Sequence, residues 1–238
     1  MANVTPAAIG PYQLRGVLGQ GGMGTVYLAL HRGVGGFEKP VALKCIAAHV
    51  AGDESFIRML ADEARLMVQL THPNLVQVID LAVYDGVHVL VLEYVEGVDL
   101  RTLAAAGPLS LAEAAAVAAG AARGLAYAHR KGVVHRDVSG HNLLVSVEGA
   151  VKVLDFGVAK AASNRQRTEI GVLKGKLPYM SPEQAAGKPL DGRSDLFSLA
   201  VVLWELGTNQ RLFTGDTEMQ VLLKVQRCEI ERPSKLVP

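Results

Sequence analysis

His135-Arg136-Asp137-Val138-Ser139-Gly140-His141-Asn142 is followed, thirteen residues after Asn142, by Asp155-Phe156-Gly157. These two stretches decide the reading of the chain. They fit H-R-D-L-x-x-x-N and D-F-G, with Val138 in place of leucine. Phosphoryl transfer asks little covalent chemistry of a protein; it needs alignment, a proton acceptor and cations on the phosphates. Asp137 suits the group that accepts or orients a hydroxyl proton. Asp155 and Asn142 offer the hard oxygen donors that Mg²⁺ prefers, Asp155 for an ion bridging phosphates and Asn142 for a second.

Upstream lies Gly19-Gln20-Gly21-Gly22-Met23-Gly24-Thr25-Val26, a G-x-G-x-x-G-x-V pattern. A dinucleotide-binding turn shares its first six positions but opens a helix. Here Thr25-Val26-Tyr27-Leu28 is β-branched and aromatic and continues as a strand. A glycine hairpin can lay its backbone N–H groups over a triphosphate without side-chain interference. Val41-Ala42-Leu43-Lys44 follows on the next expected strand. A lysine on a buried type of strand needs a counter-charge or an anionic ligand. Glu63, on the inward side of a helix over Glu54–Leu70, is the expected partner. Paired in this way, Lys44 would point at the α- and β-phosphates.

Around these motifs the chain divides in character. Residues 1–11 read as a loose leader. Residues 12–95 read as strands at Tyr12–Leu18, Thr25–Leu30, Lys39–Ala47, Leu75–Val83 and Val87–Tyr94. The last two form a hairpin about Asp85-Gly86. The one helix among them places Phe56, Leu60, Ala64, Met67 and Val68 on one face and stops at His72-Pro73-Asn74. Residues 96–238 are mainly helical. Leu109–Lys131 opens with Ser110 and Glu113 as a capping box, and Leu196–Leu206 is apolar enough to be buried on nearly all sides. The break near Glu96–Val98 is the expected hinge.

Bulk properties narrow the class. The 238 residues are 50% apolar and 20% charged, which suits a globular core. A net charge of +1 gives no electrostatic footprint for nucleic acid. Cys45 and Cys228 stand in no metal-ligand spacing and read as reduced thiols of a cytoplasmic protein. No signal peptide is expected, and the alanine-rich stretch Leu109–Ala128 is interrupted by Glu113, Gly120 and Arg123 and so is not a membrane span.

With four motifs in fixed order, the chain resembles the eukaryotic-like (Hanks-type) Ser/Thr protein kinases, most closely their bacterial branch. Gly21-Gly22-Met23-Gly24-Thr25-Val26-Tyr27 and Met180-Ser181-Pro182-Glu183-Gln184 carry the bacterial flavour. The resemblance runs from about Tyr12 to the last residue. It implies an α+β, bilobal protein-kinase-like fold, with a small antiparallel-sheet N-lobe holding one helix and a mainly helical C-lobe. It also implies Mg²⁺–ATP (or Mn²⁺–ATP) as phosphoryl donor, protein substrates, and self-association for autophosphorylation in trans. Glu93 and Val95 would meet adenine through their backbone, with Leu92 guarding the back pocket. Leu18, Val26 and Ala42 would cover the ring and Leu144 would floor it. His135, Phe156, Met67 and Val78 would stack as an apolar column, and Asp195 would accept hydrogen bonds from the backbone near His135-Arg136.

The chain departs from the family pattern at three places. Ser139 stands where Ser/Thr kinases usually carry a lysine, and Lys176 where they usually carry a threonine. In the family fold these positions face each other, so Lys176 is expected to deliver its ammonium beside Asp137 while Ser139 supplies a small hydroxyl. Arg136 would meet a phosphate on the segment from Asp155 to Glu183, with Thr168 expected as the main acceptor and Ser163 a second hydroxyl. Finally, the chain ends at Pro238, before the arginine that Glu183 normally pairs with. The expectation is a truncated lobe with Glu183 unpaired, cut from a longer protein that could carry a membrane anchor elsewhere. Two readings compete: a scaffold that binds nucleotide without turnover, and a small-molecule kinase of related fold. The intact set Lys44, Glu63, Asp137, Asn142 and Asp155 speaks against the first. Ser181-Pro182-Glu183 and a full activation segment speak against the second.

Overall fold

The computed structural model describes residues 7–156 and 176–237. They fall into two compact units, one built from residues 7–71 and 76–95, the other from residues 72–75, 96–156 and 176–237.

The first unit is a six-stranded antiparallel sheet with two helices. Its strands are β1 (Ala8–Ile9), β2 (Tyr12–Gly21), β3 (Gly24–Arg32), β4 (Glu38–Ile46), β5 (Val78–Tyr84) and β6 (Val87–Glu93), ordered β1-β2-β3-β4-β6-β5. Helices α1 (Ala48–Ala51) and α2 (Glu54–Val68) follow β4. Side chains alternate across a strand. Tyr12, Ala29, Val41, Leu43, Val89 and Val91 therefore bury one face of the sheet as a single cluster.

That cluster also takes in Ile9, which corrects the expectation of a loose leader through residue 11. Gly10, at φ 52°, turns the chain so that Ala8 pairs with Gln13 and Ile9 with Tyr12. The energetic reason is the burial of Ile9, which the short segment achieves only by pairing.

Helix α2 begins at the N-cap Asp53, whose carboxylate accepts from the backbone of Ser55 and Phe56. It buries Phe56, Leu60, Ala64 and Met67, but Val68 is 42% exposed. At about 100° per residue, the buried stripe spans from Phe56 and Met67 to Ala64, and Val68 falls beyond its edge.

The second unit holds a small sheet, β7 (Gly97–Asp99), β8 (Leu143–Ser146) and β9 (Val151–Val153), in that order. Its helices are α3 (Leu100–Ala106), α4 (Leu111–Arg130), α5 (Pro182–Ala185), α6 (Gly192–Thr208) and α7 (Glu218–Arg227). The capping box at the start of α4 is present: Ser110 accepts from the N–H of Glu113, and the Glu113 carboxylate accepts from the N–H of Ser110.

Small residues on α4 let backbone come close. A Cβ on Gly120 would lie 2.6 Å from Val151, and one on Gly124 would lie 2.7 Å from the Asn74 carbonyl. Residues 72–75 thus belong with this unit and not with the sheet of residues 12–95. Asn74 donates to the Val151 carbonyl at 2.8 Å and accepts from the Val153 N–H at 2.9 Å. Leu75 bridges Val153 and is buried. For this reason the strand expected at Leu75–Val83 starts only at Val78.

Helix α6 is longer than expected, running from the N-cap Asp191 to Asn209, which ends it in the left-handed region at φ 52°. It is not buried on all sides, since Leu196 is 49% exposed. Glu183, expected to be unpaired, accepts a hydrogen bond from the Ser194 hydroxyl, and that bond holds its carboxyl below the usual range. No helix of the described residues is long and apolar enough to cross a membrane.

Candidate active site

In the first unit the glycine-rich segment is a strand–turn–strand hairpin. Gly19 pairs with Val26, Gln20 with Thr25 and Gly21 with Gly24, leaving Gly22 and Met23 as the turn. Two register shifts loosen β2 on the way in, between Leu14 and Gly16 and between Val17 and Gly19, next to the half-exposed Leu18. Gly24 has φ 142°, and a Cβ there would stand 1.9 Å from the Cys45 carbonyl. Only glycine fits. The Met23 carbonyl accepts from the Ala47 N–H at 2.9 Å, pinning the turn to the end of β4. The strand that follows excludes a dinucleotide-binding turn, which would open a helix.

Register then assembles a row of side chains. Lys44 lies between Val26 and Leu90, and Ala42 between Leu28 and Leu92. Cross-strand partners share a face. Val26, Ala42, Lys44 and Leu92 are therefore together on the face opposite the Val41–Leu43 core. Glu63 lies seven residues after Phe56 and four before Met67, so it falls on the buried stripe of α2 and is itself half-buried. Glu93 uses its backbone N–H on the Gln77 carbonyl at 2.9 Å, while its carboxylate accepts from the Gln77 N–H. Val95 is half-buried at the end of this unit.

The second unit holds the loop His135–Asn142. Its anchor is Asp195, fully buried in the first turn of α6. That carboxylate accepts from the N–H of His135 at 2.8 Å and of Arg136 at 2.7 Å, and contacts Nε2 of His129 at 2.7 Å. The bonds hold Arg136 at φ 63°, a conformation that costs a non-glycine residue about 1 kcal/mol or more. Arg136 also accepts at its carbonyl from Gln184.

His135 is fully buried, and burial pushes its imidazole below the usual range. Its Nδ1 accepts from the Asp137 N–H at 3.2 Å, and Nε2 donates to the Leu154 carbonyl at 2.6 Å. Its ring packs on Phe156 with centroids 4.7 Å apart. Met67 and Val78, the other members of the expected column, are buried in the first unit.

Asp137 is thus fixed at its backbone from both sides, because its carbonyl accepts from Nδ2 of Asn142 at 2.8 Å. Its side chain, only 11% exposed, forms an ion pair with Lys176 Nζ. Ser139, two residues on, is buried. Leu154 donates to the Asn142 carbonyl, and β8–β9 pairing joins Leu143 to Val153 and Leu144 to Lys152, which carries the chain to Asp155. Asp155 is exposed and left-handed at φ 46°.

The amide and carboxylate at 142 and 155 fit a magnesium-type ion. Since Asn142 spends its Nδ2 on the loop, its Oδ1 remains the acceptor end. Mg²⁺ is characteristically held by one or two protein oxygens together with phosphates. Ser163, Thr168 and Gly157 lie outside the described residues.

Residues 12–236 match the family model for the protein kinase domain. The chain belongs to this family. Among its relatives are the tyrosine-protein kinase MasK of Myxococcus xanthus, 41% identical over 96% of the chain, and the serine/threonine-protein kinase PrkC of Bacillus subtilis, 38% identical over 94%. The chain spans little more than a third of those proteins, 38% and 34% of their lengths. Among solved structures, the PknI kinase domain of Mycobacterium tuberculosis aligns with a TM-score of 0.73 at 27% identity, over the whole chain and 86% of that domain.

Beside the family motifs this kinase domain carries contacts that sequence reasoning missed. The Tyr179 hydroxyl donates to Glu205 at 2.8 Å, and Arg211 reaches both groups. Arg101 donates to Nε2 of His141 at 2.7 Å. The Tyr179–Glu205, Arg211–Tyr179 and Arg101–His141 pairs join residues 26, 32 and 40 apart, so no local motif could have found them.

Proposed function

We propose that this kinase domain transfers the γ-phosphoryl group of Mg²⁺–ATP to serine and threonine hydroxyls of proteins, its own activation segment included. The observation that carries the reading is Asp137, whose backbone is held at both ends and whose nearly buried carboxylate meets an ammonium. A carboxylate so fixed can orient an incoming hydroxyl and take its proton as the P–O bond forms. Lys44, turned by Glu63, would hold the α- and β-phosphates, beneath the backbone N–H groups of Gly19–Thr25. Val26, Ala42, Leu18 and Leu144 would enclose adenine, and Glu93 and Val95 would contact its edge. Asn142 and Asp155 would hold Mg²⁺, which when bound neutralises charge on the phosphates. Protein substrates, self-association and a cytoplasmic setting complete the reading.

In this scheme Lys176 takes the part of the lysine that the loop lacks at Ser139. Its Nζ already lies on Asp137, where developing negative charge on the transferred group would be met. Lys176→Ala is expected to lower kcat about 10- to 100-fold with little change in the KM for ATP. Adding Ser139→Lys to that variant should restore much of the loss. Unchanged turnover in Lys176→Ala, alongside a dead Lys44→Ala control, would end the idea.

A tyrosine-directed reading has one observation in its favour, the 41% identity to a protein named as a tyrosine kinase. Incubation with labelled ATP and Mg²⁺, followed by phosphoamino-acid analysis of the chain and of a generic acceptor protein, separates the two. Phosphoserine and phosphothreonine are expected. Phosphotyrosine alone would overturn the Ser/Thr assignment, and no transfer at all would overturn the enzyme.

A further inference from the structure

Beside the catalytic loop, the second unit contains a cavity of about 240 Å³. Its apolar floor comes from Leu100, Ala104, Val202 and Leu206, and its charged groups are Arg101, Glu205 and Arg211. It is bordered by Gly140, three residues after Asp137, and by Tyr179, three residues after Lys176. An extended peptide covers about 3.3 Å per residue, so a hydroxyl presented to Asp137 and a side chain entering this cavity would belong to residues a few positions apart.

The charges in it are unequal. Glu205, 13% exposed at its side chain, is consumed internally: it accepts from Tyr179 at 2.8 Å, from Arg211 at 3.0 Å and from the Leu212 N–H at 3.3 Å. Its negative charge is cancelled by Arg211. Arg101 is different. Its guanidinium donates to Nε2 of His141, a neutral acceptor. A ring nitrogen that accepts from a guanidinium carries no proton, so His141 supplies no anionic counter-charge to Arg101. Asp99, 3.9 Å from Nδ1 of His141, caps α3 through the Thr102 N–H and is not among the residues lining the cavity. The lining thus carries two guanidiniums and one carboxylate, a net positive charge, and Arg101 offers a planar fork suited to a second carboxylate.

We infer that this cavity is a substrate subsite for an acidic side chain, so that the enzyme prefers acceptors with aspartate or glutamate close to the phosphorylated residue. The inference rests on the kinase reading above and names its substrate class. Arginine in the peptide would be repelled, because the one carboxylate among the described residues of the lining is already occupied.

The test uses peptides with one threonine acceptor in an alanine background, with aspartate, and separately arginine, walked through the three positions on each side. Two readouts are taken on the whole chain: kcat/KM with Mg²⁺–ATP, and anisotropy of fluorescent peptides, which needs no turnover. At one or two positions, aspartate should raise kcat/KM and tighten binding about five- to tenfold over alanine. Arg101→Glu should reverse the order of the aspartate and arginine peptides, while Arg101→Lys keeps it. Aspartate no better than alanine at every position, or an order indifferent to Arg101→Glu, overturns the subsite. Equal phosphorylation of all peptides would defeat the subsite and leave the kinase reading standing. Absent phosphorylation, with an anisotropy preference that Arg101→Glu reverses, would do the opposite.

Discussion

Asp137→Asn is expected to lower kcat for phosphate transfer by about 10²- to 10⁴-fold, the range for loss of a positioned proton acceptor. The substitution keeps shape and removes charge and basicity. The backbone bonds to His135 and Asn142 do not involve the side chain and should persist. Nucleotide affinity should therefore stay near that of the wild type while turnover collapses. Single-turnover transfer from labelled ATP and a fluorescent-nucleotide titration read the two quantities separately. A variant that transfers phosphate at the wild-type rate would hand the chain to the scaffold reading.

Asp195→Ala should have the largest effect on stability. Its carboxylate is fully buried and serves two backbone N–H groups and the His129 ring. Removing it strands buried donors, each costing about 1–3 kcal/mol, and frees Arg136 from a conformation it holds only under constraint. A loss of about 3–5 kcal/mol is expected, with the catalytic loop displaced and turnover lost. Asp195→Asn should be milder, since its amide keeps one oxygen for the loop. Denaturant unfolding of the three proteins measures this, and an alanine variant within about 1 kcal/mol of wild type would show that the loop is held by something else.

What was legible in the sequence follows from where the controlling forces act. The capping box at Ser110 and Glu113 is a local exchange of hydrogen bonds, so four residues suffice to see it. The glycine hairpin was legible for a similar reason: Thr25-Val26-Tyr27 favours a strand, and Gly24 must be glycine because the Cys45 carbonyl fills the place of its Cβ. Lys44, Asp137, Asn142 and Asp155, in that order and spacing, carried the family resemblance, and the fold class came with the resemblance.

Other features depend on partners distant in the chain. Ile9 belongs to a strand only because the cluster around Tyr12 and Val91 gives it somewhere to be buried. Glu183, expected to stand unpaired, accepts from Ser194, eleven residues away on another helix. The bond between Arg101 and His141 crosses 40 residues. No periodicity encodes such a pair; only the packing of α3 beside the loop creates it.

The tether of residues 72–75 bears on how the chain is made. During synthesis this segment leaves the ribosome long before its partners, since Asn74 must wait 77 residues for the Val151 carbonyl it bonds. Leu75, buried in the folded protein and bridged to Val153, cannot complete its packing in the interval. Closing so long a loop is slow relative to local helix formation. Completion of the second unit is thereby tied to a stretch translated with the first, and a gene fragment starting at residue 96 would encode a unit lacking one of its own core side chains.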